Sequence, residues 1–184
     1  MRKLFGPLVV LGALLAPARA LAADPATANM LQLGLGFRYG VEMNEGDFNS
    51  WGVGLGVDGG YTLPMAVYVG GTFEYFFGDK VEAAGVEAKG NAWHLMAEGG
   101  YDLGLGENVV IRPKLGAGIG TLRGETCAGA LGCTSDSSTS LALAPGVKAM
   151  LLTSRFSLSF DTRYALLLDD ETAKALIFTF GVGF

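Results

Sequence analysis

Leu176-Ile177-Phe178-Thr179-Phe180-Gly181-Val182-Gly183-Phe184 closes the chain, and every second side chain in it is large and apolar. Alternation of period two marks a β-strand with one greasy face and one polar or empty face. The same pattern recurs seven more times upstream, in residues 31–41, 51–61, 65–77, 93–101, 109–121, 141–151 and 156–164. In the first of these, Leu31, Leu33, Leu35, Phe37, Tyr39 and Val41 alternate with Gln32, Gly34, Gly36, Arg38 and Gly40. The eight apolar faces together hold 47 positions and no charge, although charged residues make up 17% of the chain and chance would place about eight there. A Lys or Arg at the middle of a bilayer costs roughly 2–4 kcal/mol, so contact with hydrocarbon accounts for the missing charges.

Alternation alone does not say which face points inward, because a soluble ligand-binding barrel is apolar inside and polar outside. Three features favour the membrane sense. The polar face is dominated by glycine, which suits a narrow lumen and would make a poor solvated surface. The aromatics of the apolar face gather at strand ends, with Tyr39, Trp51, Tyr75, Phe77, Trp93 and Tyr164 at one end and Tyr61, Tyr101, Phe156 and Phe184 at the other. Such girdles mark the two interfaces of a membrane. The links also alternate in length. Residues 62–64, 103–108 and 152–155 are short, on the side of both termini, while 42–50, 78–91, 122–140 and 165–175 are long. Short periplasmic turns and long external loops orient such a barrel, and strands of about 10 residues tilted by about 45° match the hydrocarbon thickness. Pro113 and Pro145 fall within apolar-face runs, lack an N–H and weaken the ladder locally; a bulge at either would shift the strand phase.

The N-terminus supplies a destination. Arg2 and Lys3 precede an apolar run from Leu4 to Leu15, and Ala20-Leu21-Ala22 has the small-x-small pattern of a signal peptidase site. Residues 1–22 therefore read as a removed signal peptide and residues 23–184 as one barrel domain. The apolar run is short for an uncleaved anchor, which needs about 20 residues. Loss of Arg2, Lys3 and Arg19 leaves 10 basic residues against 18 acidic, which argues against nucleic acid as a partner.

Eight alternating strands ending on an aromatic residue resemble the small eight-stranded outer-membrane β-barrels, the outer-membrane protein A and X type often labelled porin-family. The resemblance covers essentially the whole mature chain and rests on architecture and on Phe184. It implies an all-β, antiparallel, up-and-down transmembrane barrel in the bacterial outer membrane, with Phe184 as the C-terminal signal to the barrel-assembly machinery. It also implies surrounding outer-membrane lipid and lipopolysaccharide, long loops as the place for an extracellular ligand, and no cofactor. The peptidoglycan-anchoring role of two-domain members does not carry over, since no such domain follows Phe184.

The lumen face carries Arg38, Arg112, Lys114, Lys148 and Arg163 against Asp58, Glu74, Glu98 and Asp161. Isolated charges in a narrow lumen are costly, so near balance points to a salt-bridged plug in a structural or surface-interaction protein. A narrow channel for ions or small solutes is the alternative, and a lipid A-modifying enzyme the outsider. His94, the single histidine, opens His94-Leu95-Met96, which lacks the serine of the His-x-Ser pair of lipid A deacylases. A nucleophile also needs a base and an orienter, so no catalytic residue is assigned. Cys127 and Cys133 in an exported chain read as a disulfide, stabilising by roughly 2 kcal/mol, and no metal site, since a closed zinc site wants four ligands. Gly52-x-Gly54-x-Gly56 and Gly116-x-Gly118-x-Gly120 lie inside strands with no helix following, which excludes a phosphate loop. Asp169-Asp170-Glu171 and Glu45 with Asp47 are acidic loop patches, read as solvated or as holding divalent cations beside lipopolysaccharide.

Overall fold

In hydrocarbon no water is present to satisfy backbone N–H and C=O groups, so a spanning sheet must leave no edge. The computed structural model describes residues 27–28, 30–43, 50–83, 86–128, 132–168 and 172–184, and in it the sheet closes on itself. The leader at residues 1–22 and the acidic patches at Glu45, Asp47 and residues 169–171 lie outside the described residues. The elements are β1 (Met30–Glu42), β2 (Gly52–Thr62), β3 (Val67–Ala83), β4 (Val86–Tyr101), β5 (Leu103–Gly104), β6 (Val109–Ala128), β7 (Cys133–Leu152), β8 (Ser157–Leu168) and β9 (Ala173–Gly183). Each long strand pairs antiparallel with its sequence neighbours, β4 pairs β6, and β9 returns to β1. The two-residue β5 only pads the start of β6. The fold is thus an all-β, eight-stranded, antiparallel, up-and-down barrel. Among the described residues no helix is long and apolar enough to cross a membrane; the strands cross instead.

The stagger sets the geometry of the lumen. Following directly paired residues from Leu33 leads through Gly59, Gly71, Ala97, Ala117, Leu143, Leu166 and Lys174 back to β1 at Met43, ten positions beyond the start. With strands about 4.8 Å apart and about 3.3 Å per residue, that shear tilts the strands by about 40°. Eight strands at that tilt leave an interior that side chains fill.

Exposure follows the period-two reading. Leu33, Leu35, Phe37, Val69, Leu115, Leu141 and Phe180 stand outside, while Arg38, Glu74, His94, Arg112 and Arg163 are buried inside. Neither proline shifts the phase. Pro113 pairs with Val147 and Leu115 with Pro145 in an unbroken β6–β7 register, and the β7–β8 ladder resumes in the same register beyond Pro145. Both rings face outward, where the missing N–H is tolerated because the register is held by the residues on either side.

Two expectations are corrected. Residues 78–91 and 122–140 are largely strand: β3, β4, β6 and β7 run on past the barrel and stay paired, up to Ala83 with Val86 and Cys127 with Cys133. The ladder there is polar and wet, and an alternation test built on greasy faces passes over it. The one register shift in β3–β4, between Phe77 and Lys80, marks where the barrel wall gives way to this extension. Secondly, Trp51 is no girdle residue. It is 0% exposed and points into the lumen, because Gly52 adopts φ 53 and turns the chain so that two consecutive residues face inward. That left-handed conformation is open to glycine at little cost.

Replacing Leu35, 59% exposed on the lipid face, with Arg should lower the unfolding free energy in bilayers by about 2–4 kcal/mol. Urea titration of vesicle-embedded protein measures it, and a loss below about 0.5 kcal/mol would contradict the outward assignment.

Candidate functional site

The inner surface is layered. At the mouth where the short turns lie, Arg112 donates to Asp102 through Nε (2.5 Å) and Nη2 (2.8 Å), and its Nη2 also reaches Gln32 (3.0 Å). The hydroxyls of Thr27 (2.5 Å) and Thr62 (3.0 Å) donate to the same carboxylate. The Arg112 guanidinium lies 3.6 Å from the Tyr68 ring centroid, a cation–π contact in a dry setting. Asp102 is placed by its backbone: its N–H donates to Ala66 O in the turn before β3, where Ala66 itself adopts φ 67.

Above this, eight of the nine charges read from the sequence form one connected set. Lys148 pairs Asp58 (2.7 Å), and Asp58 lies 3.6 Å from Arg38. Arg38 Nε donates to Glu74 (2.7 Å), and Arg163 contacts Glu74 (3.5 Å), Glu98 (3.1 Å) and Asp161 (3.1 Å). Lys114 bridges Glu98 (3.1 Å) and Asp161 (2.5 Å). Arg38 fits because Gly36 and Gly56 leave room; a Cβ at Gly36 would stand 2.6 Å from Arg38 Nη1. Arg112, the ninth, belongs to the mouth and not to this set.

Asp102 is the partner that sequence reading missed. The five cations and four anions counted along the strands leave one positive charge over, and Asp102 supplies the fifth anion. The signal was present: Asp102 continues the inward phase of His94, Met96, Glu98 and Gly100 one step past the end of β4. It was lost because the reading stopped with the strand.

Toward the opposite end, where the strands run on, the inner surface turns apolar. Trp51, Phe76, Met96, Leu167 and Ile177 pack with six buried alanines into one cluster. His94 lies at its base, wholly buried, with its ring edge-on to Trp51 (4.6 Å between centroids) and Phe76 (5.9 Å), and with Nδ1 3.7 Å from Glu74 Oε2. Rings and a carboxylate already held by arginine surround it, which is a packing environment and not a nucleophile's.

Outside the barrel, Cys127 and Cys133 are joined (S–S 2.06 Å) across the β6–β7 pair. They are the cysteines expected to pair, and Glu125 beside them makes the trio Glu125, Cys127 and Cys133. With both sulfurs committed to each other, the trio offers no thiolate to a metal.

Burial raises the Asp102 carboxyl, while the hydrogen bonds and charge of Arg112 and the hydroxyls of Thr27 and Thr62 outweigh it, holding the group below its ordinary value.

Compared with known proteins, residues 8–184 match the family model described as outer membrane protein beta-barrel domain. Among solved structures the chain is similar to Ail, the attachment invasion locus protein of Yersinia pestis, at 18% identity and TM-score 0.62, over 83% of this chain and 95% of that one. Ail in complex with the heparin analogue sucrose octasulfate gives 20% identity and TM-score 0.62 over the same shares. Neisserial surface protein A gives 14% identity and TM-score 0.58, over 83% of this chain and 94% of that one. At these identities the likeness is one of fold. No curated protein sequence matches the chain.

Asp102→Ala would leave Arg112 buried without its counter-ion, and the loss should be about 3–5 kcal/mol at neutral pH. Because the folded pKa of Asp102 is depressed, its contribution is complete above about pH 4 and fades as pH falls through the lowered value. Denaturant titrations of wild type and variant should therefore converge in acid; a gap independent of pH would refute the pairing.

Proposed function

This chain belongs to the outer membrane protein beta-barrel domain family, and from that premise we propose that it is a closed barrel of the bacterial outer membrane, working through its outer surface, with no catalysis. The observation that carries this reading is the lumen: Glu74, 0% exposed, is held between Arg38 and Arg163, and each neighbouring charge is tied in turn across the bore. In a dry interior each such pair is strengthened by the low dielectric, and together the pairs fill the bore they span. The network of Arg38, Asp58, Glu74, Glu98, Lys114, Lys148, Asp161 and Arg163, with Arg112 on Asp102, is then a cross-brace. The narrow-channel alternative asks for a hydrated path through these pairs.

Residues 1–22 are the removed leader in this reading, and residues 23–184 the mature domain. Phe184, whose N–H and carbonyl both bond to Leu33 in β1, is the terminal residue offered to the assembly machinery. Lipid and lipopolysaccharide surround the wall. The lipid A-modifying outsider lacks support, since His94 is enclosed in the lumen and turned away from the lipid.

The surface points to a different ligand class from that of Ail, which binds a heparin analogue. At and beyond the outer rim the described strands carry Glu42, Asp79, Glu82, Glu87, Glu125 and Asp136 against Lys80, Lys89, Arg123 and Lys174. Lys80–Glu87 (2.9 Å) and Lys89–Glu125 (3.2 Å) occupy half of those cations. Such a surface repels a polysulfate.

Planar-bilayer recording should show no steady conductance for the wild-type barrel. A steady conductance changed by Arg112→Ala and Lys114→Ala would overturn the plug. Lipid A from overexpressing cells should keep its acylation in mass spectra, and sucrose octasulfate should not bind the folded protein at physiological salt.

A further inference from the structure

We infer that ions are kept out of the lumen from the extracellular side by an apolar cap built on Trp51 and Phe76, and that the ion pairs beneath it brace the wall without acting as the gate. This rests on the closed-lumen reading and locates its barrier. Strand order alone sorts the two layers. The inward charges, such as Lys148, Asp58, Lys114 and Glu98, all lie in the periplasmic and middle portions, where Tyr68, Val110 and Met150 are buried among them. The inward residues of the outer portion, Phe76, Ala92, Leu167, Ala175 and Ile177, are apolar.

The layers differ in chemistry more than in burial. Arg38, Glu74 and Arg163 are as enclosed as Trp51 and Phe76, but charged groups can stand in for an ion's lost water and the rings cannot. A constriction lined by rings and aliphatic groups offers a hydrated ion no replacement for its water and stays dry, which is a sufficient barrier. The ion pairs form a redundant set by contrast. Arg163 has three carboxylate neighbours and Lys114 two, so removing Arg38 with Glu74 leaves Lys148 on Asp58, and Lys114 and Arg163 on Glu98 and Asp161, with each remaining charge still paired.

The cap is also built at identifiable positions. Gly52, at φ 53, turns Trp51 inward, and the Trp51 ring meets Phe76 edge-on with centroids 5.3 Å apart. Gly40 and Gly54 leave room for the two rings; a Cβ would come within 2.6 Å of Trp51 Cβ at the first and 2.8 Å of Phe76 Cδ1 at the second. Glycines placed under these rings, on the neighbouring strands, let an eight-stranded bore accommodate them.

The test compares potassium efflux from vesicles holding wild type, Trp51→Ala/Phe76→Ala, or the charge-balanced Arg38→Met/Glu74→Met, each first shown to be folded by heat-modifiable gel migration. Efflux at the protein-free rate for wild type and the Arg38/Glu74 variant, with at least a tenfold rise for the cap variant, is the expected result. Leaky wild type would overturn the closed-lumen reading itself. Tight wild type with an equally tight cap variant, or with a leak from the Arg38/Glu74 variant, would overturn the cap. Should the cap variant fail to fold, Trp93→Phe leaves Trp51 as the sole tryptophan, and its fluorescence should resist both aqueous iodide and brominated lipid. Quenching by either would place the ring outside the cap and sink the inference.

Discussion

Closure of the backbone hydrogen-bond ladder in a medium without water is the constraint from which the rest of this molecule follows. It forbids an edge within the membrane, so β9 must find β1, and with eight strands the stagger of ten fixes a narrow tilted bore. Narrowness then governs side chains. Charges placed inside have no bulk water and must face one another, and large side chains fit only over glycine. Arg38 over Gly36 and Gly56, and Trp51 over Gly40, are two instances of one rule.

The same closure explains how remote residues become partners. Lys148 and Asp58 are 90 positions apart, yet they meet at 2.7 Å because the bore is only wide enough for two side chains to touch across it. Arg112 and Asp102 are near in sequence but need the turn before β3 to hold the aspartate in place. Taken together, five inward cations and five inward anions make an interior that is electrically balanced as well as filled. Balance of this kind is what a low-dielectric space demands of any buried charge.

Much of the architecture could be read from alternation, since each strand carries its own record of what wets its two faces. The phase survived both prolines because an outward Pro113 or Pro145 removes a donor without inserting a residue. The extensions of β3, β4, β6 and β7 escaped notice because water on both sides leaves no contrast to detect. Asp102 escaped because it lies one residue past its strand, although its phase pointed inward. Trp51 was misassigned for a backbone reason: alternation assumes uniform φ and ψ, and a left-handed glycine at the next position breaks it.

The sequence by itself determined that hydrocarbon meets one side of every strand, that nine named charges turn away from it, and that two cysteines would pair outside. Those are local properties, written in the order of neighbouring residues. Only the tertiary structure decided which charge holds which, that Asp102 completes the set, and that rings close the outer end of the bore. These depend on strand register around a closed sheet and on a single dihedral at Gly52, and neither is encoded in the alternation of side chains.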